Sequence, residues 1–309
     1  MTSVFGCAAL GGLYRPVSRE EAHAALQAAW DLGVRSFDTA PHYGVGQSEE
    51  YLGKFLRDKP RDSFTVSTKV GRLLVDDTTV VDGTDGFFGT PARSRVRDYS
   101  GDGVRRSVEE SLGRLGLDRV DVVFVHDPED HMTQAIDEAA SALAEMRDAG
   151  RISGFGVGTN FTEVAERFVR ETPTDTVMIA GRYSVLDRRA ERTLLAACVD
   201  RGVKVLAAGV LNSGLLADPR PGAPFNYAPA PAWLVDAAQR MSAACEARGV
   251  TLRAAALQFP TRHPAVHAVV TGAGRVSSVR DTHEQLRLPI PDDLWEELDD
   301  LAPDQDLLP

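Results

Sequence analysis

Eight short, β-rich apolar runs alternate with amphipathic stretches along this 309-residue sequence, and that alternation predicts an α/β fold of the (β/α)8 TIM barrel class. Two further observations support the reading. Helix start and stop signals lie between the runs, and the two longest departures from the rhythm, 71–101 and 212–231, both fall between a strand and its following helix. The βα pattern resumes in phase after each, so neither reads as a domain linker. The expectation is one domain over 1–309, with long βα loops at the C-terminal face, where barrels of this class build their sites.

The first run is VFGCAALG from Val4, and its helix opens on Ser18 and Glu21 as a capping box and stops at Gly33. VRSFD from Val34 is the second strand, with Ser48 reading as the cap of EEYLGKFLRD. FTVSTK from Phe64 is the third, after which the Gly-, Asp- and Thr-rich stretch 71–101 delays the helix. VDVVFVH from Val120, ISGFGVG from Ile152 and TVMIAG from Thr176 continue the series. VKVLAAG from Val203 precedes the second long loop, 212–231, and VHAVVTG from Val266 completes the set. Each long loop reads either as a disordered insertion or as part of the site-bearing face.

Composition narrows the function classes. With 43% hydrophobic and 26% charged residues the chain can bury a large core without disulfides or metal. A net charge of −11 argues against nucleic acid and anionic membrane as partners, since both require clustered Lys and Arg. Small molecules are the expected partners, acting on a monomer or small homo-oligomer. Three scattered cysteines without a CxxC, no basic leader and no membrane-length apolar run point to a cytoplasmic protein. GFGVG is not a GxGxxG fingerprint, and Pro264 between His263 and His267 spoils a helical metal pair, so no metal is expected.

Four polar residues stand at successive strand ends of one face. Asp38 ends the second strand, Tyr43 follows in FDTAPHYGVGQSE, Lys69 ends the third in STK, and His126 ends the fourth in VFVHDP. Each alone has a plain structural explanation, such as a turn Asp or a snorkelling Lys. Together they suit acid–base chemistry: an ammonium favours ionisation of the phenol, Asp38 keeps Lys69 charged, and His126 can orient the reacting oxygen while Tyr43 exchanges the proton. No residue carries a hydride, so such chemistry calls for a cofactor at the same mouth.

That set, within FDTAPHYG, STK and VHDP, resembles the catalytic tetrad of the aldo-keto reductases, and the likeness runs over nearly the whole chain. GLYRPVS, DYSGDGVRRSVEESLGRLGLDRVDVVFVHDPED, AGRYSVLD, LNSGLLA and AAALQFP are similar to the family's sugar dehydrogenase branch, which includes L-fucose and D-threo-aldose 1-dehydrogenases and also pyridoxal 4-dehydrogenase. The resemblance implies NAD or NADP as cofactor. Thr159 and Asn160 match the pair that holds the nicotinamide carboxamide, while the Gln many members place beside them aligns with Ala180, and the stacking aromatic aligns near Ala208. TGAGRVSSVRD occupies the adenosine-phosphate region. Where NADP-preferring members carry a Lys-Ser pair and a later Arg, this chain has Gly272, Ala273, Gly274 and Ser278, with Arg275 as the nearest substitute. A Gly-rich turn still binds phosphate through backbone N–H groups, so the resemblance implies that cofactor binding survives, while the missing Lys-Ser pair and Arg give a slight lean toward NAD.

Three functions follow from the resemblance. The first is oxidation of a cyclic hemiacetal, an aldose such as L-fucose or a pyridoxal-like compound, to a lactone, with Phe87 and Phe88 of the 71–101 loop covering the ring and His42 reading its hydroxyls. The second is NADPH-dependent reduction of aldehydes or ketones. The third is a cofactor-binding sensor or subunit without significant turnover.

Overall fold

In the computed structural model, which describes residues 3–309, eight parallel strands close into a barrel. Around it run β1 (Ser3–Gly6), β2 (Ser36–Asp38), β3 (Thr65–Val70), β6 (Val122–His126), β7 (Gly154–Thr159), β8 (Thr176–Ala180), β9 (Lys204–Ala208) and β12 (Val266–Gly272), which pairs back with β1. All eight runs read from the sequence supply these strands. After β3 comes an antiparallel hairpin, β4 (Arg72–Asp76) with β5 (Arg93–Arg97), and after β9 a shorter one, β10 (Pro224–Phe225) with β11 (Ala228–Pro229). The outer layer is helical: α1 (Arg19–Asp31), α2 (Gln47–Leu56), α3 (Gly101–Leu115), α4 (Met132–Gln134), α5 (Ala140–Asp148), α6 (Thr162–Glu171), α7 (Leu194–Arg201), α8 (Ala232–Glu246), α9 (Leu252–Gln258), α10 (Val276–Gln285) and α11 (Asp292–Asp300).

Strand alternation divides the barrel from its jacket. Phe37 points outward between Asp38 and Ser36 and packs on Trp30, at 6.4 Å and nearly parallel, and on Phe55 of α2. Each such fully buried aromatic contributes roughly 1.5–3 kcal/mol from its apolar area. The capping box at α1 forms as expected: Ser18 Oγ accepts from Glu21 N at 3.1 Å, and the Glu21 carboxylate accepts from Ser18 N at 3.0 Å. On β7 the glycines serve packing. A Cβ on Gly156 would lie 1.6 Å from the Thr176 carbonyl oxygen, so any larger residue forces β7 and β8 apart.

One local reading needs correction. Ser48 does not cap α2; the cap position is Gly46, at φ 95°, and Ser48 sits inside the first turn, fully buried. Its hydroxyl donates to the Cys7 carbonyl at 2.9 Å and bonds Thr39 Oγ1 at 2.8 Å, tying α2 to two strand ends. The tertiary partners outcompete the local capping bond. Of the two readings of segment 71–101, an insertion or part of the site-bearing face, the second fits: it forms the β4–β5 hairpin, and Phe87 between the two strands returns to the barrel, where it bridges Leu13. Among the described residues no helix is long and apolar enough to cross a membrane, and no group of three His, Cys, Asp or Glu is placed to hold a metal.

Candidate active site

The parallel register brings the four strand-end residues to one mouth. Gly6 pairs with Asp38, Asp38 with Ser67, Lys69 with Phe124, and His126 with Gly158. Lys69 Nζ donates to Asp38 Oδ2 at 2.6 Å and to the Thr39 carbonyl at 2.9 Å, and both members of the pair are almost fully buried, at 1% and 2% exposure. Two charges so deeply placed are stable only because they satisfy each other. Gly158 faces Lys69 at the height of its Cε, which leaves room for the ammonium.

Above this pair lies Tyr43, with Lys69 Nζ 4.8 Å from its ring centroid. Its ring meets His126 edge-on at 5.9 Å and Phe87 in a near-parallel stack at 6.2 Å. His42 contacts Phe87 at 5.3 Å and His126 at 5.7 Å. Phe88, expected to join Phe87 over the substrate, instead lies with its ring against Gly83 inside the hairpin, and its backbone N–H donates to the Gly12 carbonyl. The structure thus gathers Asp38, His42, Tyr43, Lys69, Phe87 and His126, and sets Phe88 apart.

Burial decides the electrostatics. It pushes the Tyr43 phenol up to about 12, against the pull of Lys69, so the lowering expected from that ammonium is outweighed and Tyr43 rests protonated. Burial would lower Lys69, yet the charge and hydrogen bond of Asp38 hold it above its ordinary value. His126 is driven well below its ordinary value by burial and then by the cations Arg72 and Lys69, so it is neutral. His42 falls to about 2, for burial first and then for repulsion from the cations Arg72 and Arg95.

Sequence reasoning missed the second ring of groups. Arg72 Nη2 donates to Asp127 Oδ2 at 2.8 Å, and that oxygen is 3.5 Å from His126 Nε2, a polar contact and not an ion pair because the imidazole is neutral. Asp127 holds a left-handed backbone, φ 43°, with its carbonyl and that of His126 both accepting from the buried Tyr99 hydroxyl at 2.8 and 2.7 Å. Arg95 donates to the His42 carbonyl at 3.0 Å. One signal was available: RSRVR alternates, so as a strand it places Arg93, Arg95 and Arg97 on one side.

Beside the tetrad opens a cleft of about 380 Å³ between the ends of β8, β9 and β12, lined by Asn160, Ala180, Gly272 and Arg253 among others. Thr159 is buried at the end of β7, where its Oγ1 accepts from Phe161 N at 3.1 Å. Ala273 is buried, and the Gly274 carbonyl accepts from Arg15 at 3.3 Å. Arg275 stands exposed at the N-cap of α10, close enough to Glu21 for its charge to favour that carboxylate. Arg253 and the exposed Tyr14 and Tyr227 at the cleft were not singled out from the sequence.

Comparison with known proteins places this geometry. The model of the Aldo/keto reductase family matches residues 4–303. The chain is 42% identical to D-threo-aldose 1-dehydrogenase of a Pseudomonas species over 95% of its length and 92% of the relative's, and 39% identical to pyridoxal 4-dehydrogenase of Microbacterium luteolum over 94% and 90%. Among solved structures, a glycerol dehydrogenase from Gluconobacter oxydans superimposes with a TM-score of 0.76 at 26% identity, covering 97% of this chain and 90% of that one. Two Klebsiella pneumoniae aldo-keto reductases of the same fold, at 22% and 23% identity, are complexes with NADP and with NADPH. Closed barrel, full-length family match and dehydrogenase relatives establish that this chain belongs to the aldo/keto reductase family and is an oxidoreductase.

Proposed function

We propose that this chain is an NAD(P)-dependent dehydrogenase that oxidises a cyclic hemiacetal, such as an aldose or a pyridoxal-like compound, to a lactone. The observation that carries the reading is the buried Asp38–Lys69 pair beneath Tyr43, with neutral His126 at the same mouth. The two relatives named for aldose and pyridoxal oxidation share a substrate chemistry: each such compound exists largely as a ring with a hydroxyl and a hydrogen on one carbon.

Neutral His126 can donate a hydrogen bond to that hydroxyl oxygen and orient it, and Tyr43 exchanges its proton. Lys69, fixed by Asp38, stabilises negative charge on the phenolic oxygen as it develops. The ring form holds the C–H bond in one orientation, which pre-organises the transfer. Phe87 supplies an apolar wall, and His42, whose buried Nδ1 has no hydrogen-bond partner among the described residues, can read a sugar hydroxyl.

The cleft next to the tetrad suits a nicotinamide nucleotide: Asn160 lies at its wall, Gly181, Gly209 and Gly272 line it without side chains, and Arg253 brings a guanidinium. A nicotinamide nucleotide bound there would supply the hydride acceptor. Thr159 and Asn160 would hold its carboxamide, and Gly272, Ala273, Gly274 and Arg275 the phosphate end. The solved neighbours lend no support to a lean toward NAD, and exposed Arg275 at the start of α10 leaves a cation for a 2′-phosphate, so either nucleotide is accepted in this proposal.

A second reading, reduction of aldehydes or ketones, is favoured by Tyr43 resting protonated, the state that donates to a carbonyl oxygen. The test is to follow NADH or NADPH absorbance with a panel of aldoses, pyridoxal and simple carbonyls, and the first product by NMR. A lactone that later hydrolyses supports the proposal. Free acid from the first turnover rejects oxidation of the ring form, and activity confined to carbonyl reduction rejects the dehydrogenase in favour of the second reading.

A further inference from the structure

Arg72 and Asp127 stand beside the tetrad and take no part in the proton exchange at Tyr43. The backbone is bent on both sides to bring them together. After β3, Gly71 takes φ 104° and passes over the Tyr99 ring, which a Cβ there would meet at 2.2 Å, so that Arg72 opens β4 within reach of Asp127. After β6, Asp127 takes a left-handed backbone, φ 43°, a conformation that residues other than glycine adopt uncommonly. Three hydrogen bonds hold it there: its N–H donates to the Gly158 carbonyl at 3.0 Å, and the Tyr99 hydroxyl donates to the carbonyls of His126 and Asp127. Strain kept in place at the C-terminal end of a barrel strand points to a task at the mouth.

What the bend achieves is a carboxylate next to the reacting atoms. Asp127 Oδ2 lies 3.5 Å from His126 Nε2, too far for a good hydrogen bond between the two. That distance is close to the separation of two neighbouring hydroxyl oxygens on a sugar ring. Oδ2 accepts from Arg72 Nη2 at 2.8 Å, and Oδ1 accepts from none of the described residues. A carboxylate offers about four lone-pair sites and no donor, so this one has capacity left for hydroxyls and none for a carbonyl oxygen. Two buried nitrogens on the same side of the mouth, Arg72 Nη1 and His42 Nδ1, have no partner among the described residues, and the His42 ring lies 5.7 Å from that of His126. Buried polar atoms are nearly always paired in folded proteins, so these two orphans mark the place of a polar ligand.

We propose that Asp127, held by Arg72, selects the substrate by accepting a hydrogen bond from the hydroxyl on the carbon next to the reacting one, so that the enzyme takes 2-hydroxy hemiacetals, the class of the ordinary aldoses. The inference rests on the dehydrogenase reading above and narrows it. With His126 Nε2–H on the reacting hydroxyl oxygen, the neighbouring hydroxyl falls against the Asp127 carboxylate and donates to it. A ring without that hydroxyl displaces water from the carboxylate and returns no donor, and a site built around a hydroxyl rejects such an analogue strongly. Pyridoxal belongs with the rejected rings, because the carbon next to its reacting one is an aromatic carbon that bears no hydroxyl. A carbonyl or carboxylate at that position brings acceptor against acceptor and is turned away as well. Asp127 is the specificity-determining residue, and Arg72, which acts through it, is a positioning residue.

The test compares kcat/KM for L-fucose and L-galactose with kcat/KM for the 2-deoxy form of each, and for pyridoxal. The wild type should favour the 2-hydroxy sugar by at least ~10-fold, the scale of a hydrogen bond to a charged group. Asp127→Gly removes the carboxylate at a φ that glycine adopts freely, and should bring the ratio to within ~2-fold of unity. Asp127→Asn keeps the shape and an oxygen for Arg72, should lower the ratio at least ~3-fold, and serves if the glycine variant does not fold. Arg72→Gln, which frees the carboxylate to turn, should move the ratio in the same direction. A merely structural role for either residue depresses both sugars alike and leaves the ratio where it was. That result overturns the proposal, and so does a wild type indifferent to the 2-hydroxyl. Oxidation of pyridoxal but of neither aldose overturns this inference alone, whereas a wild type that oxidises none of these compounds overturns the dehydrogenase reading and the inference together.

Discussion

Replacing Lys69 by Met strands the Asp38 carboxylate at 2% exposure with Ser67 as its remaining side-chain donor. Breaking a buried pair from one side costs about 3–5 kcal/mol, because the surviving charge keeps its desolvation penalty and loses its partner. For a chain of this size each kcal/mol lowers Tm by about 2 °C, so the variant should melt roughly 6–10 °C below the wild type. Asp38→Asn strands the ammonium instead and should cost a similar amount. The double variant strands neither charge, and the amide oxygen that replaces the carboxylate can still accept from Ser67, so its loss should fall short of the sum of the single losses by at least ~2 kcal/mol. Thermal and urea unfolding followed by circular dichroism give the three differences, and turnover measured on the same samples separates stability from chemistry. All three variants should be inactive, since the double variant regains packing without regaining the ammonium beneath Tyr43. Losses that add within ~0.5 kcal/mol would refute the claim that the two charges form one energetic unit.

Two further outcomes follow from the same geometry. Tyr43→Phe keeps the ring stacked on Phe87 and removes only the oxygen, so turnover should drop at least ~100-fold with nucleotide affinity retained, and near-normal turnover in that variant removes Tyr43 from the proposed role. His126 is neutral in the fold with its titration driven below the ordinary value, while the unfolded chain takes up a proton on it below pH ~6.5, so the contribution is constant above that pH and declines as pH falls. The stability gap between wild type and His126→Gln should therefore narrow by up to about 1.4 kcal/mol per pH unit below 6, and urea melts showing a constant gap from pH 7 to 5 would contradict the burial argument.

The eight strand runs, the closing β12 and the strand-end positions of Asp38, Lys69 and His126 were legible in the sequence, because apolar run length, turn residues and cap motifs are local properties and the parallel register then delivers strand ends to one face. Tertiary structure alone decided the rest. Ser48 carries every local mark of a cap, yet burial beside Cys7 and Thr39 gives its hydroxyl better partners. Phe87 and Phe88 are adjacent in sequence and part company, since the hairpin turns one ring to Tyr43 and the other to Gly83. The ionisation of Tyr43 followed burial and not its charged neighbour, a balance that depends on how many atoms surround a group and has no signature in spacing. Ser67, Arg72 and Asp127 join the site through contacts spanning 29 to 55 residues, or through a strained backbone, and distance of that kind becomes proximity only when the barrel closes.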